Sequence, residues 1–505
     1  MLIKKIKVKN YRNLDNTEIF FDSKINYIVG DNNTGKSNLL KLFDKLFNNA
    51  FLEEDYYNLN KKIIIELTIM LDENENSLYH FNLDNNETSL IISQGIYESI
   101  PLMVDKNKKK YDYKLLKKVF YKVVGNKIDS KILMNQSIVD ILIKNDIDNL
   151  SIFNIKDSYQ ENNLYLTYAS LLIYNQIYHL FHNNYEGFNN LIYTKDSKRI
   201  LPIMIALDEP ELHLNAYLQR TLINYYKKLL NNENEIFNNI LKSEFNIDLL
   251  SSTLFVVTHS SEALVDDYKS IIRLYKKNDS VGVASGSILN LKPNISKHLT
   301  MNFSDLKEAF FCKKVIIVEG ITEFGCLGMF AEKLGYPLDN YGICLINAQG
   351  EGSISKIRTL LNAFKIESYA IYDGDVKKFK KESKYDFFTD NVCFEMEIVS
   401  KLVNTSSFNL LEEIAYSISG AKNQVFDEIF TKRTFEKLEF DPSEFKSCRL
   451  KDVKRDDLEL YKAIYFTWFY KKKGLYLGRI IGKMLPKELI PDCYKNAIYE
   501  SVKND

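Results

Sequence analysis

At 505 residues, with 45% hydrophobic residues, the chain is long enough for two or three domains that each bury a core. Its 67 basic and 67 acidic residues cancel, which excludes polyanion binding through global charge and leaves local patches to do it. Six cysteines without a C-x-x-C pair, six histidines without H-E-x-x-H and no apolar run of 18 residues argue against structural zinc, a disulfide framework and a membrane span.

In chain order, LIKKIKVKNYRNL alternates apolar and polar residues and predicts a half-buried antiparallel strand. A charged, strand-like start has no signal-peptide pattern, so a cytoplasmic location is expected. The segment KINYIVGDNNTGKSNLLKLF then reads as a strand, a glycine-bounded loop and an amphipathic helix. Gly30, Gly35, Lys36 and Ser37 fit G-x-x-x-x-G-K-S, with Asn33 and Asn38 as further nucleotide-binding candidates. The glycines let backbone amides wrap phosphates, Lys36 meets the β- and γ-phosphates, and Ser37 offers a hydroxyl to Mg²⁺. KIIIELTIML predicts a strand beside the P-loop sheet, and residues from about 96 to 165 read as a mostly helical insertion, as in KYDYKLLKKVFYKVV.

Downstream, the apolar strand in IMIALDEPELHL ends in Asp208, suited to hold Mg²⁺ through water, and Glu209, suited to polarise the attacking water. A helical excursion is expected from about Tyr225 to Leu250. STLFVVTHSSEAL follows as a buried strand ending in Thr258 and His259. Where a signature helix should lie, NLYLTYASLLIYNQIYHL has no Gly-Gly pair and offers only Thr167 and Ser170 as polar substitutes. ATP binding is therefore expected more strongly than fast hydrolysis across a dimer.

In the last third, β-branched runs stop at Glu319 in VIIVEG and just before Asp373 and Asp375 in IYDGD. Each carboxylate should project from the C-terminal edge of a buried parallel strand, where open α/β sheets build sites. Three acidic oxygen donors gathered there suit Mg²⁺ or Mn²⁺. The competing reading is that a strand-end carboxylate caps a helix. Parallel strands are expected from near Leu306 to about Val399, followed by helices such as TFEKLEF and LGRIIGKML. The lysine runs KKFKKESK (Lys377 to Lys384) and KKK (Lys471 to Lys473) adjoin the acidic residues and are candidate phosphate contacts, though lysine runs are usually solvated faces.

These motifs carry a resemblance. NYR (Asn10 to Arg12) is similar to the opening of RecF-, SMC- and Rad50-like ATPases, which implies that Arg12 lies near the nucleotide. His259 stands where ABC-type ATPases have the switch histidine that senses the γ-phosphate. The acidic set resembles the TOPRIM site of topoisomerases, primases and certain nucleases. Taken together the chain resembles the OLD (overcoming lysogenization defect) family of ATP-dependent nucleases, to which the nuclease subunit of Gabija-type phage defence is related. The resemblance implies an α/β fold: an ABC-type head with a helical, dimerising insertion over residues 1–300, a TOPRIM core over 306–400 and a helical part over 401–505 packed on it. It implies catalytic Glu319 and Glu323 in EGITE, Asp373, Asp375, a glutamate at Glu395 or Glu397, and Lys473 or a neighbouring lysine. Gly350 and Lys356 in INAQGEGSISK are minor candidates. Two metal ions, ATP with Mg²⁺, DNA, a homodimer or larger, and a helicase-like or retron-type partner follow as expectations. Two other readings stay open: an SMC/RecF-like DNA-binding ATPase with an inactive TOPRIM, and a TOPRIM nuclease acting on RNA such as tRNA.

Overall fold

The computed structural model describes residues 1–22, 24–124, 141, 159–183, 185–212, 214–278, 280–380, 383–441, 445 and 447–503. The chain divides into two compact units, Met1–Leu291 and Lys292–Asp505. Both units are mixed α/β.

The first unit holds two sheets. The opening strand, Leu2–Lys9, is antiparallel as its alternation predicts, pairing Thr17–Phe20 on one side and Ile63–Met70 on the other. Glu87–Gln94, Leu102–Asp105 and Lys110–Tyr111 extend it to six strands. KIIIELTIML thus lies in a separate antiparallel sheet, not in the P-loop sheet. The expected helical insertion is also corrected over its first part. Residues 102–124 form strands and the 3-10 turn Tyr113–Lys118, because alternation in LMVD and FYKVV outweighs the helix-forming lysines between them. Residues 125–140 and 142–158, including most of the expected dimerisation element, lie outside the described residues.

The second sheet of this unit has the order Ser280–Ser285, Ile271–Lys277, Ile25–Gly30, Leu249–Val257, Lys198–Asp208, Phe120–Val124; the first pair is antiparallel, the other four pairs run parallel, and the short Tyr193–Lys195 adds an antiparallel partner to Lys198–Asp208. Register aligns Asp208 with Val257, and Val257 with Ile28, so the P-loop, the Asp208–Glu209 pair and His259 emerge at one edge. The helix Lys36–Phe47 is wedged between the sheets. Its apolar stripe Leu39, Leu42, Phe43, Leu46 is buried, and the Phe43 ring lies 4.9 Å from that of Phe255. Burying such a ring stabilises by roughly 1.5–3 kcal/mol, which fixes the helix start over the strand ends. The expected helical excursion forms Ala216–Leu230 and Glu235–Phe245.

In the second unit, Lys314–Val318, Ile343–Asn347, Glu367–Tyr372 and Asp386–Phe388 form a wholly parallel sheet, with the second strand at one edge, then the first, third and fourth. Strands stop at Phe388 rather than near Val399, since CFEMEI opens the helix Phe394–Asn404. The helices Glu428–Lys437 and Leu475–Met484 occur where TFEKLEF and LGRIIGKML predict them. The latter lies against Ile321–Leu334 with backbones nearly touching: a Cβ on Gly325 would stand 2.8 Å from the Leu475 carbonyl oxygen and 3.2 Å from the Gly478 Cα.

Candidate active sites

At the nucleotide edge, Lys36 is buried and its Nζ donates to the carbonyls of Gly30 and Asp31, each at 2.8 Å. Burial lowers its pKa, opposed by Asp31, Glu209 and Asp208. Incoming phosphates would replace these two carbonyls as partners. Ser37 and Asn33 are exposed at the loop. Arg12 is less free than a phosphate ligand should be: its Nε donates to the buried Asp55 at 2.8 Å, and one Nη lies 3.5 Å from Asn38. Asp208 has one buried oxygen without a hydrogen-bond partner, and burial, then Glu209, raises its pKa. That orphaned oxygen beside a P-loop fits a Mg²⁺ shell. His259 Nε2 stands 3.3 Å from Glu209 Oε1, and its backbone N–H donates to Glu211 at 2.6 Å. Glu211, whose other oxygen is buried and unpaired, is a residue the motif reading missed. Ser170 is not available as a signature substitute, because it is buried in the helix Tyr159–Asn183 with its hydroxyl 2.6 Å from that of Tyr225. The Thr167 side chain lies outside the described residues.

The second unit gathers its acids at the C-terminal edge of the parallel sheet. Glu319 follows the first strand and Asp373 the third, and since these strands are neighbours, the Asp373 N–H donates to the Glu319 carboxylate at 3.3 Å. Asp373 in turn accepts the Phe394 N–H at 3.2 Å, so it does cap the start of the next α-helix, Phe394–Asn404. Gly374 permits this turn, since a Cβ there would sit 2.7 Å from the Thr389 carbonyl oxygen. Glu323, buried in the first turn of Ile321–Leu334, folds back over Gly320. The Gly350 N–H donates to the Glu319 carbonyl at 2.9 Å.

The two open choices separate by placement. Glu395 is fully buried with Lys473 Nζ at 2.9 Å, and neither of its oxygens takes a well-aligned hydrogen bond. Glu397 instead accepts from the backbone and side chain of Asn391 at 2.9 and 2.7 Å, holding a loop. Lys471 and Lys472 lie over the Phe430 and Trp468 rings. Asp375 departs from expectation: it is paired with Lys437 at 3.1 Å and stands half-exposed beside the buried acids. Accordingly, no three such side chains among the described residues are placed to hold one ion as they stand. The expectation that Glu319, Asp373 and Asp375 converge is corrected to a Glu319–Asp373 pair, with Asp375 drawn aside by a lysine. Lys437, on the far helix Glu428–Lys437, has no motif in the sequence and could not be found there.

Electrostatics nonetheless favour a cation. Burial, then neighbouring acids, raises the pKa of Glu319 and, much further, of Glu323, and brings Asp373 to about 7. Burial works against the Lys473 charge, but Glu395, Cys393 and Asp373 together more than offset it and its pKa rises. Crowded buried carboxylates, with one lysine among them, fit oxygen-seeking divalent ions; Glu319, Glu323, Asp373 and Glu395 would hold them. A folded pKa near 7 against an unfolded 3.8 means that the native state keeps a proton that the unfolded chain has lost. This contribution to stability is therefore present at low pH and lost as pH rises through about 7. Without nucleotide, Mg²⁺ should bind about tenfold more weakly at pH 6 than at pH 8, because the proton competes for Asp373. Thermal melting with and without Mg²⁺ at both pH values checks this; equal shifts would contradict it.

Comparison with known proteins agrees with this division. The OLD-like TOPRIM domain family (overcoming lysogenization defect protein-like) matches residues 310–375, and the AAA ATPase domain family matches residues 1–128. The chain thus joins a match to an AAA ATPase domain with a match to an OLD-like TOPRIM domain. The Old nuclease of Escherichia phage P2 is 22% identical over 277 residues, 55% of this chain and 42% of that one. The DNA replication and repair protein RecF of Oceanobacillus iheyensis is 51% identical over 41 residues, 8% of this chain and 11% of that protein. The chain therefore matches less than half the length of these relatives. Among solved structures, the C-terminal region of the Xanthomonas campestris pv. campestris OLD protein aligns at 15% identity and a TM-score of 0.26, over 39% of this chain and 94% of that one. No helix among the described residues of this OLD-like chain is long and apolar enough to cross a membrane.

Proposed function

We propose that this OLD-like chain is a nucleotide-regulated, metal-dependent endonuclease that nicks or cleaves DNA, working in antiphage defence as a homodimer or larger assembly. The observation that carries the reading is Glu395: a fully buried carboxylate, both oxygens without a well-aligned hydrogen bond, beside Lys473 and the Glu319–Asp373 pair. Taking this carboxylate and its lysine out of water costs desolvation that their ion pair offsets only in part, which favours a functional role over a structural one. Bound Mg²⁺ or Mn²⁺ would activate a water and stabilise the leaving oxygen of a phosphodiester. The chain's own residues do the rest. The acids fix where the phosphate sits, Lys473 pairs with Glu395 and offers positive charge to the phosphate, and Lys437 holds Asp375 at the rim. At the head, Lys36 binds phosphate in the ground state while Glu209, oriented by His259, acts on the attacking water. The buried Ser170 supports nucleotide binding, rather than rapid turnover, as the signal.

Supercoiled plasmid tests the reading. Nicking is expected with Mg²⁺ or Mn²⁺ and not with EDTA; plasmid that stays intact in all three favours a DNA-binding ATPase with an inactive TOPRIM.

A further inference from the structure

The turn after Asp375 presents Phe379 with 88% of its surface exposed, between Lys378 and Lys380. This is an unusual place for a phenylalanine, since leaving the ring in water forfeits the gain of burying it. The turn is ordered by backbone bonds, Lys377 N–H to Gly374 C=O at 3.2 Å and Phe379 N–H to Val376 C=O at 3.0 Å. Lys380 lies 3.5 Å from the centre of the Tyr372 ring and reaches Glu351, in the helix after the second strand, at 3.7 Å. The strand order is second, first, third, so this reach spans the end of the first strand, where Glu319 stands. Phe379 thus lies in the turn that leaves the acidic edge, next to a lysine that reaches across it.

The other side of that edge has the same character. Phe324 and Ile321, in the first two turns after Glu319, are 37% and 46% exposed, and Tyr476, three residues after Lys473, is 65% exposed. The Gly474 N–H donates to the Thr322 hydroxyl at 3.2 Å, which sets Tyr476 beside the helix that carries Phe324. Exposed aromatic residues thus neighbour lysines in sequence on both segments that flank the acids, Phe379 beside Lys378 and Lys380, and Tyr476 three residues after Lys473, which pairs with Glu395.

Lysines alone would serve a duplex, whose bases are stacked on one another and out of reach of a flat aromatic ring. Exposed rings interleaved with lysines are what single strands use, because an unpaired base can leave its neighbours and stack on the protein. We infer that the acidic edge of the second unit takes single-stranded DNA, with Phe379 as the stacking platform for a base next to the phosphate that the metals engage. The inference rests on the nuclease reading for the role of the edge, but its test needs no cleavage.

Two fluorescent strands of equal length and charge decide it: a short oligothymidylate, and an abasic strand with the same phosphates. Binding to the full chain is measured by anisotropy with Ca²⁺ in place of Mg²⁺, and gels confirm that both strands stay whole. The oligothymidylate should bind about tenfold more tightly than the abasic strand. Phe379→Ala should erase that difference without weakening the abasic strand, and Phe379→Trp should keep it. Melting should be unchanged in both variants, since so exposed a side chain supports little of the fold. Equal affinity for both strands in the parent, or a Phe379→Ala loss common to both strands, overturns the inference. A chain that shows the base-dependent difference but never cuts DNA would sink the nuclease reading and leave this one standing.

Discussion

Glu319→Ala and Asp373→Asn should each slow metal-dependent nicking by about 100-fold or more, read as time courses on supercoiled plasmid. Both side chains lie where neighbouring parallel strands end, and Asp373 N–H donates to Glu319, so either change disturbs the oxygen set around the phosphate. Loss of one ligand removes transition-state stabilisation of several kcal/mol, which sets the size of the effect. Asparagine keeps an oxygen that can accept the Phe394 N–H, so the helix cap survives. Stability should move the other way. At pH 8 without metal, Asp373 is a buried charge raised in pKa by burial, Glu319 and Glu395, and neutralising it removes that repulsion. A higher melting temperature with lost activity marks a site strained for function. A lower one, together with undiminished cutting, would show that Asp373 is only a helix cap.

Lys36→Ala should weaken ATP binding by about 10–100-fold, the loss of charged hydrogen bonds to phosphate. Glu209→Gln should leave affinity within about twofold, because its role falls on the water in the reaction and not on the bound nucleotide. The pair separates the two functions of one edge: Lys36 sits on the loop carbonyls of Gly30 and Asp31, and Glu209 faces His259 from the next element across. Equilibrium binding of a fluorescent ATP analogue measures both. Parent-like affinity in Lys36→Ala would remove the P-loop assignment.

Both sheet edges were legible before any coordinates, for one physical reason. A fully buried parallel strand is a short apolar run, and the first charged residue at its end must emerge at the edge, as Glu319, Asp373 and Asp208 do. Side-chain direction was not legible. Asp375 is two residues from Asp373, but what turns it aside is Lys437, sixty-two positions later, on a helix that no periodicity ties to this sheet. Glu395 and Glu397 were equivalent in CFEMEI. They separate only because the first faces Lys473 and the second meets Asn391, across different sides of one helix. The insertion failed for a related reason. KYDYKLLKKVFYKVV has helix-forming lysines, yet Phe120–Val124 gains more by completing the parallel sheet beside Lys198–Asp208 than by coiling.

We propose that nucleotide at the first unit governs cutting at the second, through binding that favours one of two arrangements. The most direct measurement is the plasmid-nicking rate in Mg²⁺ without nucleotide, with ATP and with a non-hydrolysable ATP analogue, in the parent chain and in Lys36→Ala. ATP and the analogue should shift the parent's rate in the same direction and leave that of Lys36→Ala unchanged. One rate across all conditions in the parent would contradict it.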